Sequence, residues 1–185
     1  MIEYIPQYLE FPLHQTKKYS AWKANALVIK DITNRFVKDP NLLLEFGVEY
    51  GYSTAVFSSY FKNVIGVDTF KGDENSGIRS DGFFEETKAL LINYPNIQLI
   101  QASYQDFIAT NNDRYDAIHV DIVHTYEDTY ACGKWAVEHS DVVMFHDTLS
   151  FEGVRRSCED LSKEYGFTFY NYNADYGLGI LVKSL

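Results

Sequence analysis

Strand and helix patterns alternate along this chain until its end, where two strand patterns follow each other with no helix between. Leu42–Phe46, Val64–Val67, Ile97–Ile100, Ala117–Val120 and Val142–Phe145 are predicted strands. Gly51–Phe61 and Tyr104–Ala109 are predicted helices, and Phe83, Phe84, Thr87, Leu90 and Leu91 recur at helical spacing. The polar stretch Lys71–Asp81 reads as a loop. Thr125-Tyr126-Glu127-Asp128 forms a capping box with Asp in the usual Glu place, ahead of a helix face of Tyr126, Tyr130, Gly133 and Val137. Val154, Cys158, Leu161 and Tyr165 recur at i, i+4, i+7 and i+11, a further amphipathic helix. Phe167–Tyr172 and Leu178–Val182 close the chain as strands. Helical crossovers join parallel strands, so this order predicts an α/β domain whose sheet is covered by helices on both faces. The two closing strands pair antiparallel or lie apart in the sheet.

Residues 1–40 are predicted as a helical extension and 41–185 as the main domain. Ser20 is placed to cap a helix that ends before Asp39-Pro40, with Trp22, Ala26, Ile29 and Phe36 on one face and Ile32 beside them. Met1–Lys18, with Pro6 and Pro12, has no clear period; a lid, an arm and a contact in a homo-oligomer are all open to it. At 185 residues the chain is the size of one domain and needs no staples. Its two cysteines, Cys132 and Cys158, sit at amphipathic helix positions and read as buried thiols in a reducing, cytoplasmic setting. No apolar run reaches the ~20 residues of a membrane span, and Met1–Glu10 lacks the pattern of a signal peptide. The net charge of −10 argues against bulk binding to nucleic acid or anionic lipid. Aromatic residues make up 16% of the chain, enough for a core with a Tyr-rich surface or for a groove that takes flat or sugar-like ligands.

In open α/β sheets, ligands bind beyond the carboxyl ends of the strands. The first such end reads Glu45-Phe46-Gly47-Val48-Glu49-Tyr50-Gly51-Tyr52-Ser53-Thr54. Gly47 and Gly51 permit a tight turn with backbone close to a ligand. Asp68 ends the next strand, 21 residues after Gly47, where an acid can accept hydrogen bonds from both ribose hydroxyls. The alternative is an ordinary turn and a surface Asp. The dinucleotide fingerprint G-x-G-x-x-G is absent, and Glu49 stands in place of its middle glycine. A carboxylate there repels a pyrophosphate and tolerates a sulfonium or ammonium group. The balance moves from NAD to S-adenosylmethionine.

At this point the chain resembles the class I S-adenosylmethionine-dependent methyltransferases, and within them the methyltransferase 24 and cephalosporin-hydroxylase-like branch. The turn at Gly47 resembles their motif I. Val67-Asp68-Thr69-Phe70-Lys71-Gly72-Asp73 resembles V-D-T-W-x-G-D, and His119-Val120-Asp121 with His124-Thr125-Tyr126-Glu127 resembles H-I-D-G-x-H-T-Y-E. Phe145-His146-Asp147-Thr148 resembles the F-H-D segment, and Gly177-Leu178-Gly179 the terminal G-L-G strand. The resemblance covers residues 42–183. It implies a Rossmann-like three-layer sandwich with a seven-stranded, mostly parallel sheet and an antiparallel last strand. It places Glu45, Gly47, Glu49 and Gly51, with Ser53 and Thr54, around the methionine part of the cofactor. Asp68 would hold the ribose, with Thr69 and Phe70 beside the adenine, and Ser103 stands where many relatives have an acid for the adenine amine.

The acceptor end is read from Asp121, which ends the fourth strand of the main domain, and His146-Asp147, which ends the fifth. Both ends fall on one sheet edge, with His124 a short turn beyond Asp121. Metal-dependent relatives imply a divalent ion, Mg²⁺ or Mn²⁺, on Asp121, His146 and Asp147. Without metal, His124 or His146 is the candidate general base, with Asp121 to orient it. The bland readings are helix capping by Asp121, loop closure by His146-Asp147, and a core role for His119. Arg155-Arg156 reads as a solvated helix face, with an anionic substrate as the alternative. Ile122 and Val123, Cys132, and Ser140-Asp141 depart from the family pattern and imply a remodelled acceptor pocket. The function that follows is methylation of a small molecule, at oxygen, with a sugar hydroxyl preferred on resemblance. The rivals are an NAD(P)-dependent oxidoreductase and a non-catalytic S-adenosylmethionine-binding module.

Overall fold

In the computed structural model, residues 1–18, 20–72, 77 and 83–184 are described. Most of the predicted loop Lys71–Asp81, with the Asp73 of the second motif, lies outside them. Strands β2 (Leu42–Phe46), β3 (Asn63–Asp68), β4 (Ile97–Gln101), β5 (Ala117–Val120) and β6 (Val142–His146) pair in parallel. Of the closing pair, β8 (Leu178–Lys183) runs antiparallel to both β6 and β7 (Phe167–Tyr172). The expected seven strands become eight. Strand β1 (Ile2–Glu3) from the extension adds to the edge, parallel to β7, with Ile2 opposite Tyr170. The sheet order is β1-β7-β8-β6-β5-β2-β3-β4.

The extension also differs from one continuous helix. It holds α1 (Lys23–Ala26) and α2 (Ile29–Phe36). Between them Leu27 N–H and Val28 N–H donate only three residues back, to Ala24 and Asn25. Ser20 Oγ accepts from Trp22 N–H rather than from within a helix. The predicted face is still buried: Trp22, Ala26, Ile29 and Ile32 are at most 3% exposed. Helix α3 (Tyr52–Ser58) is shorter than expected at its carboxyl end. Its last residue, Ser58, hydrogen-bonds His14 Nδ1 through Oγ, and Ser59 Oγ just beyond accepts from His14 N–H. Helices α4 (Phe83–Leu90), α5 (Tyr104–Thr110), α6 (Tyr126–His139) and α7 (Glu152–Tyr165) complete the order. The N-cap half of the capping box is present: Thr125 Oγ1 accepts from Asp128 N–H at 3.1 Å, and its hydroxyl donates to the Asp128 carboxylate.

Period-2 alternation divides the core between two sheet faces. Leu43, Ala117, Met144 and Ile180 pack with Trp22, Ile29 and Phe57 on one side. Leu44, Phe46, Ile118 and Phe145 pack with Trp135, Cys158 and Leu161 on the other. Both cysteines are buried free thiols, pushed to higher pKa by burial. No helix among the described residues is long and apolar enough to cross a membrane.

Candidate active site

Strand β2 pairs with β3 on one side and β5 on the other, so the chain order reverses between β2 and β5. A cavity of about 610 Å³ opens at the carboxyl ends of these strands. Gly47 sits at the reversal with φ +87°, and a Cβ there would lie 1.7 Å from the carbonyl oxygen of Asp121. Only glycine permits this approach, which brings the turn after β2 against the end of β5. Asp121 N–H donates to Phe46 O, tying the two ends together.

The turn is organised by Asp68. Its Oδ2 accepts from Val48 N–H (2.8 Å) and Glu49 N–H (3.0 Å), and its Oδ1 from Phe70 N–H (2.7 Å). Glu49 and Phe70 both hold left-handed φ, at 49° and 55°. Non-glycine residues adopt this region at a cost of order 1–3 kcal/mol, and such strain collects at ligand sites. Gly47, Glu49, Ser53, Asp68, Thr69 and Ser103 line the cavity; Glu45, Gly51, Thr54 and Phe70 do not. Phe70 packs on Phe83 and Phe84. Ser103 caps α5, accepting from Asp106 N–H, and its hydroxyl donates to the Asp106 carboxylate.

Glu45 is fully buried beneath the turn. Strand alternation puts it on the face of Leu43, in register with His119 on β5. Its Oε1 lies 3.0 Å from His119 Nδ1, and its Oε2 accepts from the Thr54 hydroxyl. This network locks β2, β5 and α3 under the cavity. His119 is the core residue expected on one nitrogen only, since its Nε2 is buried without a partner.

At the acceptor end four predicted residues converge. His124 Nε2 lies 2.8 Å from Asp147 Oδ2 and 3.5 Å from Asp121 Oδ1. His146 Nδ1 lies 3.2 Å from Asp121 Oδ2 and 3.4 Å from Asp147 Oδ2. Asp147 reaches this position from a left-handed φ of 66°. Burial disfavours charge on all four groups, but their mutual attraction outweighs it. The two carboxylates hold His124 up to about 9 and His146 up to about 10. In return the imidazoles keep Asp121 and Asp147 below the usual carboxylate range. Without another cation, both imidazoles are protonated at neutral pH.

Donor atoms of Asp121, His124 and Asp147 all fall within 4.8 Å of one another. Two carboxylates and one imidazole form an oxygen-rich set with room for water, which fits Mg²⁺ or Mn²⁺. The grouping exchanges the histidines of the expected set: His124 takes the place given to His146. The D-x-x-H spacing of Asp121 and His124 carried that signal. His146 touches both carboxylates through Nδ1, while its Nε2 is buried without a partner.

Three aromatic rings stand around the imidazoles. Phe151 stacks on His124 at 4.2 Å and 12°, Trp22 lies 6.0 Å from His146, and Tyr176 meets His146 edge-on at 6.3 Å. Tyr176 lies in the connection between β7 and β8. Trp22 reads from sequence only as core, because helical periodicity reports burial and not what lies beyond the buried face.

No curated protein matches the chain. Among solved structures, a Staphylococcus aureus protein assigned as a caffeoyl-CoA O-methyltransferase superposes with a TM-score of 0.67. It shares 19% identity over 91% of this chain and 86% of its own. An O-methyltransferase from Bacillus cereus, in complex with S-adenosylhomocysteine, gives 0.59 at 14% identity over 90% and 92%. Fibrillarin from Aeropyrum pernix, with natively bound S-adenosylmethionine, gives 0.61 at 13% identity over 88% and 76%. At these identities the likeness is one of fold. The methyltransferase 24 profile, a methyltransferase domain, matches residues 44–148. That span is more than half of the chain, which displaces the oxidoreductase alternative: the chain belongs to the methyltransferase 24 family, among the class I S-adenosylmethionine-dependent methyltransferases.

Proposed function

We propose that the chain transfers the methyl group of S-adenosylmethionine to a hydroxyl oxygen of a small molecule, with a divalent ion at Asp121, His124 and Asp147. The observation that carries this reading is the convergence of two carboxylates and two imidazoles beside the cofactor turn. Gly47 and Asp121 touch there, so the cofactor's sulfonium and an acceptor oxygen on the cluster share one cavity. Asp68 accepts hydrogen bonds from three backbone N–H groups of the turn, and Oδ1, which accepts one of them, has a further lone pair for a ribose hydroxyl. Glu49 lends negative charge near the sulfonium and ammonium groups. A bound divalent ion lowers the pKa of an acceptor hydroxyl and fixes its oxygen. Asp121, His124 and Asp147 supply the donors, and His146 holds both carboxylates in place through Nδ1. The reaction is an in-line displacement: the acceptor hydroxyl gives its proton to solvent, the oxygen's electron pair forms the new bond to carbon, and the carbon–sulfur bond breaks to leave S-adenosylhomocysteine. A sugar hydroxyl is the preferred acceptor, in keeping with the resemblance of this branch to enzymes of glycosides.

The metal reading is favoured over a histidine base by the donor set itself, since Asp121, His124 and Asp147 bring their ligand atoms within 4.8 Å of one another. The test is release of S-adenosylhomocysteine over a panel of hydroxylated acceptors, with and without EDTA. Turnover that EDTA stops and Mn²⁺ restores, and that Asp121→Ala and Asp147→Ala each abolish, is the expected result. Turnover untouched by EDTA and by both substitutions refutes the metal site. Cofactor binding with no turnover on any acceptor favours the non-catalytic module.

A further inference from the structure

We infer that the arm Met1–Lys18 is the contact through which two copies of this chain associate, arm against arm across a two-fold axis at Phe11. Beyond β1 the arm has no helix or strand, yet its burial alternates residue by residue. Tyr4, Pro6, Tyr8, Pro12, His14 and Thr16 are buried or half-buried, while Ile5, Gln7, Leu9, Phe11, Leu13 and Gln15 are exposed. The outward row of a monomer is ordinarily polar, and large apolar patches on it mark contacts. Here Ile5, Leu9, Phe11 and Leu13 are 73%, 53%, 75% and 88% exposed. With Met1 and Ile2 they make six of the ten large apolar side chains exposed among the described residues. The arm is fastened along its length, so the row stays outward. The Tyr4 hydroxyl donates to the buried Asp31 carboxylate, and Glu10 N–H donates to Leu27 O. Further on, His14 N–H donates to Ser59 Oγ at 2.9 Å, and Gln15 O accepts from the Tyr94 hydroxyl at 2.7 Å.

The order of the row selects a second copy as the occupant. Read at every other residue from Gln7 to Gln15, it runs Gln-Leu-Phe-Leu-Gln, the same in both directions. A two-fold contact needs a patch that is complementary to itself. Laid antiparallel on its own copy about Phe11, this row sets Phe11 on Phe11, Leu9 on the partner's Leu13 and Gln7 on the partner's Gln15. The chain bends at Gln7 and at Leu13, so an apolar centre stands between two turns with a glutamine at either end. An apolar centre with a polar rim is the anatomy of a protein interface. Six side chains exposed by 52–88% offer an area on the order of the ~800 Å² that each partner gives to a standard interface. Charge does not oppose the contact locally, although each chain carries −10. The row is neutral, and the one carboxylate between Gln7 and Gln15, that of Glu10, pairs with Lys30 at 2.7 Å. The arm leads on to Ser20, Ala21 and Trp22, which line the cavity, so the paired arms run into the active site of each chain. The pairing does not depend on the acceptor or on the metal.

Sedimentation velocity on the full chain at micromolar concentration is expected to give twice the 21.4 kDa of one chain. Phe11→Glu sets two carboxylates against each other at the centre of the contact and should weaken association by about thirtyfold or more, as at a central interface residue. Its circular dichroism and Tm should match those of the unsubstituted protein, because Phe11 is largely exposed. Leu13→Glu, at the most exposed position of the row, repeats the measurement if Phe11→Glu does not fold. A short bismaleimide tests the register. It should join Phe11→Cys chains in pairs and leave Leu9→Cys chains single, since the two Leu9 positions stand roughly 13 Å apart along the arms at ~3.3 Å per residue. The native thiols, Cys132 and Cys158, are buried and do not compete. A chain that stays monomeric to sub-millimolar concentration, a dimer that the Glu variants leave intact, or crosslinking at Leu9→Cys in place of Phe11→Cys overturns the inference. So does a monomer that binds phosphatidylcholine vesicles and is released by Phe11→Glu, which assigns the row to a lipid surface.

Discussion

Metal binding at the acceptor cluster must displace a proton. In the metal-free protein His124 is held up to about 9 by Asp121 and Asp147, so at pH 7 it is mostly imidazolium. Its Nε2 can ligate only when neutral. Removing that proton at pH 7, below its raised pKa, costs roughly 3 kcal/mol. The carboxylates are already ionised and release nothing. Titration of metal-free protein with Mn²⁺ should therefore release close to one proton per ion at pH 7. Apparent affinity should rise about tenfold per pH unit up to pH 9 and then level. Calorimetry in buffers of different ionisation enthalpy measures the proton count directly. His124→Ala should weaken binding and remove the release. A count near two would mean that His146 also ligates through its ring. Affinity flat from pH 6 to 9, with no proton released, would refute the assignment of His124.

The same groups set a pH dependence of stability in the metal-free protein. Asp121 and Asp147 lie below their ordinary values, so their contribution is present above about pH 4 and lost as the pH falls further. His124 and His146 lie above theirs, so their contribution is complete below about pH 6.5 and lost through about 9 and about 10. Scanning calorimetry should give a lower Tm at pH 10 than at pH 6; a higher one would contradict the ion-pair cluster. Gly47→Ala forces a Cβ onto the Asp121 carbonyl and should cost about 3 kcal/mol or more in urea unfolding. Glu45→Ala strands the Thr54 hydroxyl and His119 Nδ1 in the core, for a loss of about 3 kcal/mol; a change below about 1 kcal/mol would show the network to be incidental. Asp147→Gly should unfold about 1 kcal/mol later than Asp147→Ala, since glycine accepts the left-handed φ, while both lose metal binding.

The sheet was legible because burial on both faces writes apolar runs, and five parallel strands and the antiparallel last strand fall where those runs predict. Strand β1 left no such trace. Two exposed residues show no period, and they become a strand only because the edge of β7 offers unpaired hydrogen-bonding groups. The break between α1 and α2 was equally silent. Trp22, Ala26, Ile29 and Ile32 keep a helical face across it, because tight turns at Leu27 and Val28 preserve nearly the same direction of burial. Glu45 shows the opposite case, a signal present but overridden by the motif. Counting by two from Leu43 puts it on the face of Leu43, in register with His119, whereas likeness to motif I draws it toward the cofactor.

The acceptor site was legible as a set of strand ends and not as a geometry. Spacing places Asp121, His146 and Asp147 at the carboxyl edge, but neighbouring strand residues point to opposite faces. His146 and Asp147 should then diverge, and only one should meet Asp121. They both meet it because Asp147 turns into a left-handed conformation as β6 ends, so that its Oδ2 lies within 3.4 Å of both His146 Nδ1 and His124 Nε2. Aspartate is among the non-glycine residues enriched at such a φ, but the conformation still carries a local cost. What offsets the strain is attraction between two carboxylates and two imidazoles drawn from different strand ends, a tertiary term that is absent from any local window of sequence. The same turn sets the spacing of Asp147 to the two histidines. Asp147 comes closest to His124, at 2.8 Å, and leaves His146 to steady the carboxylates from the other side.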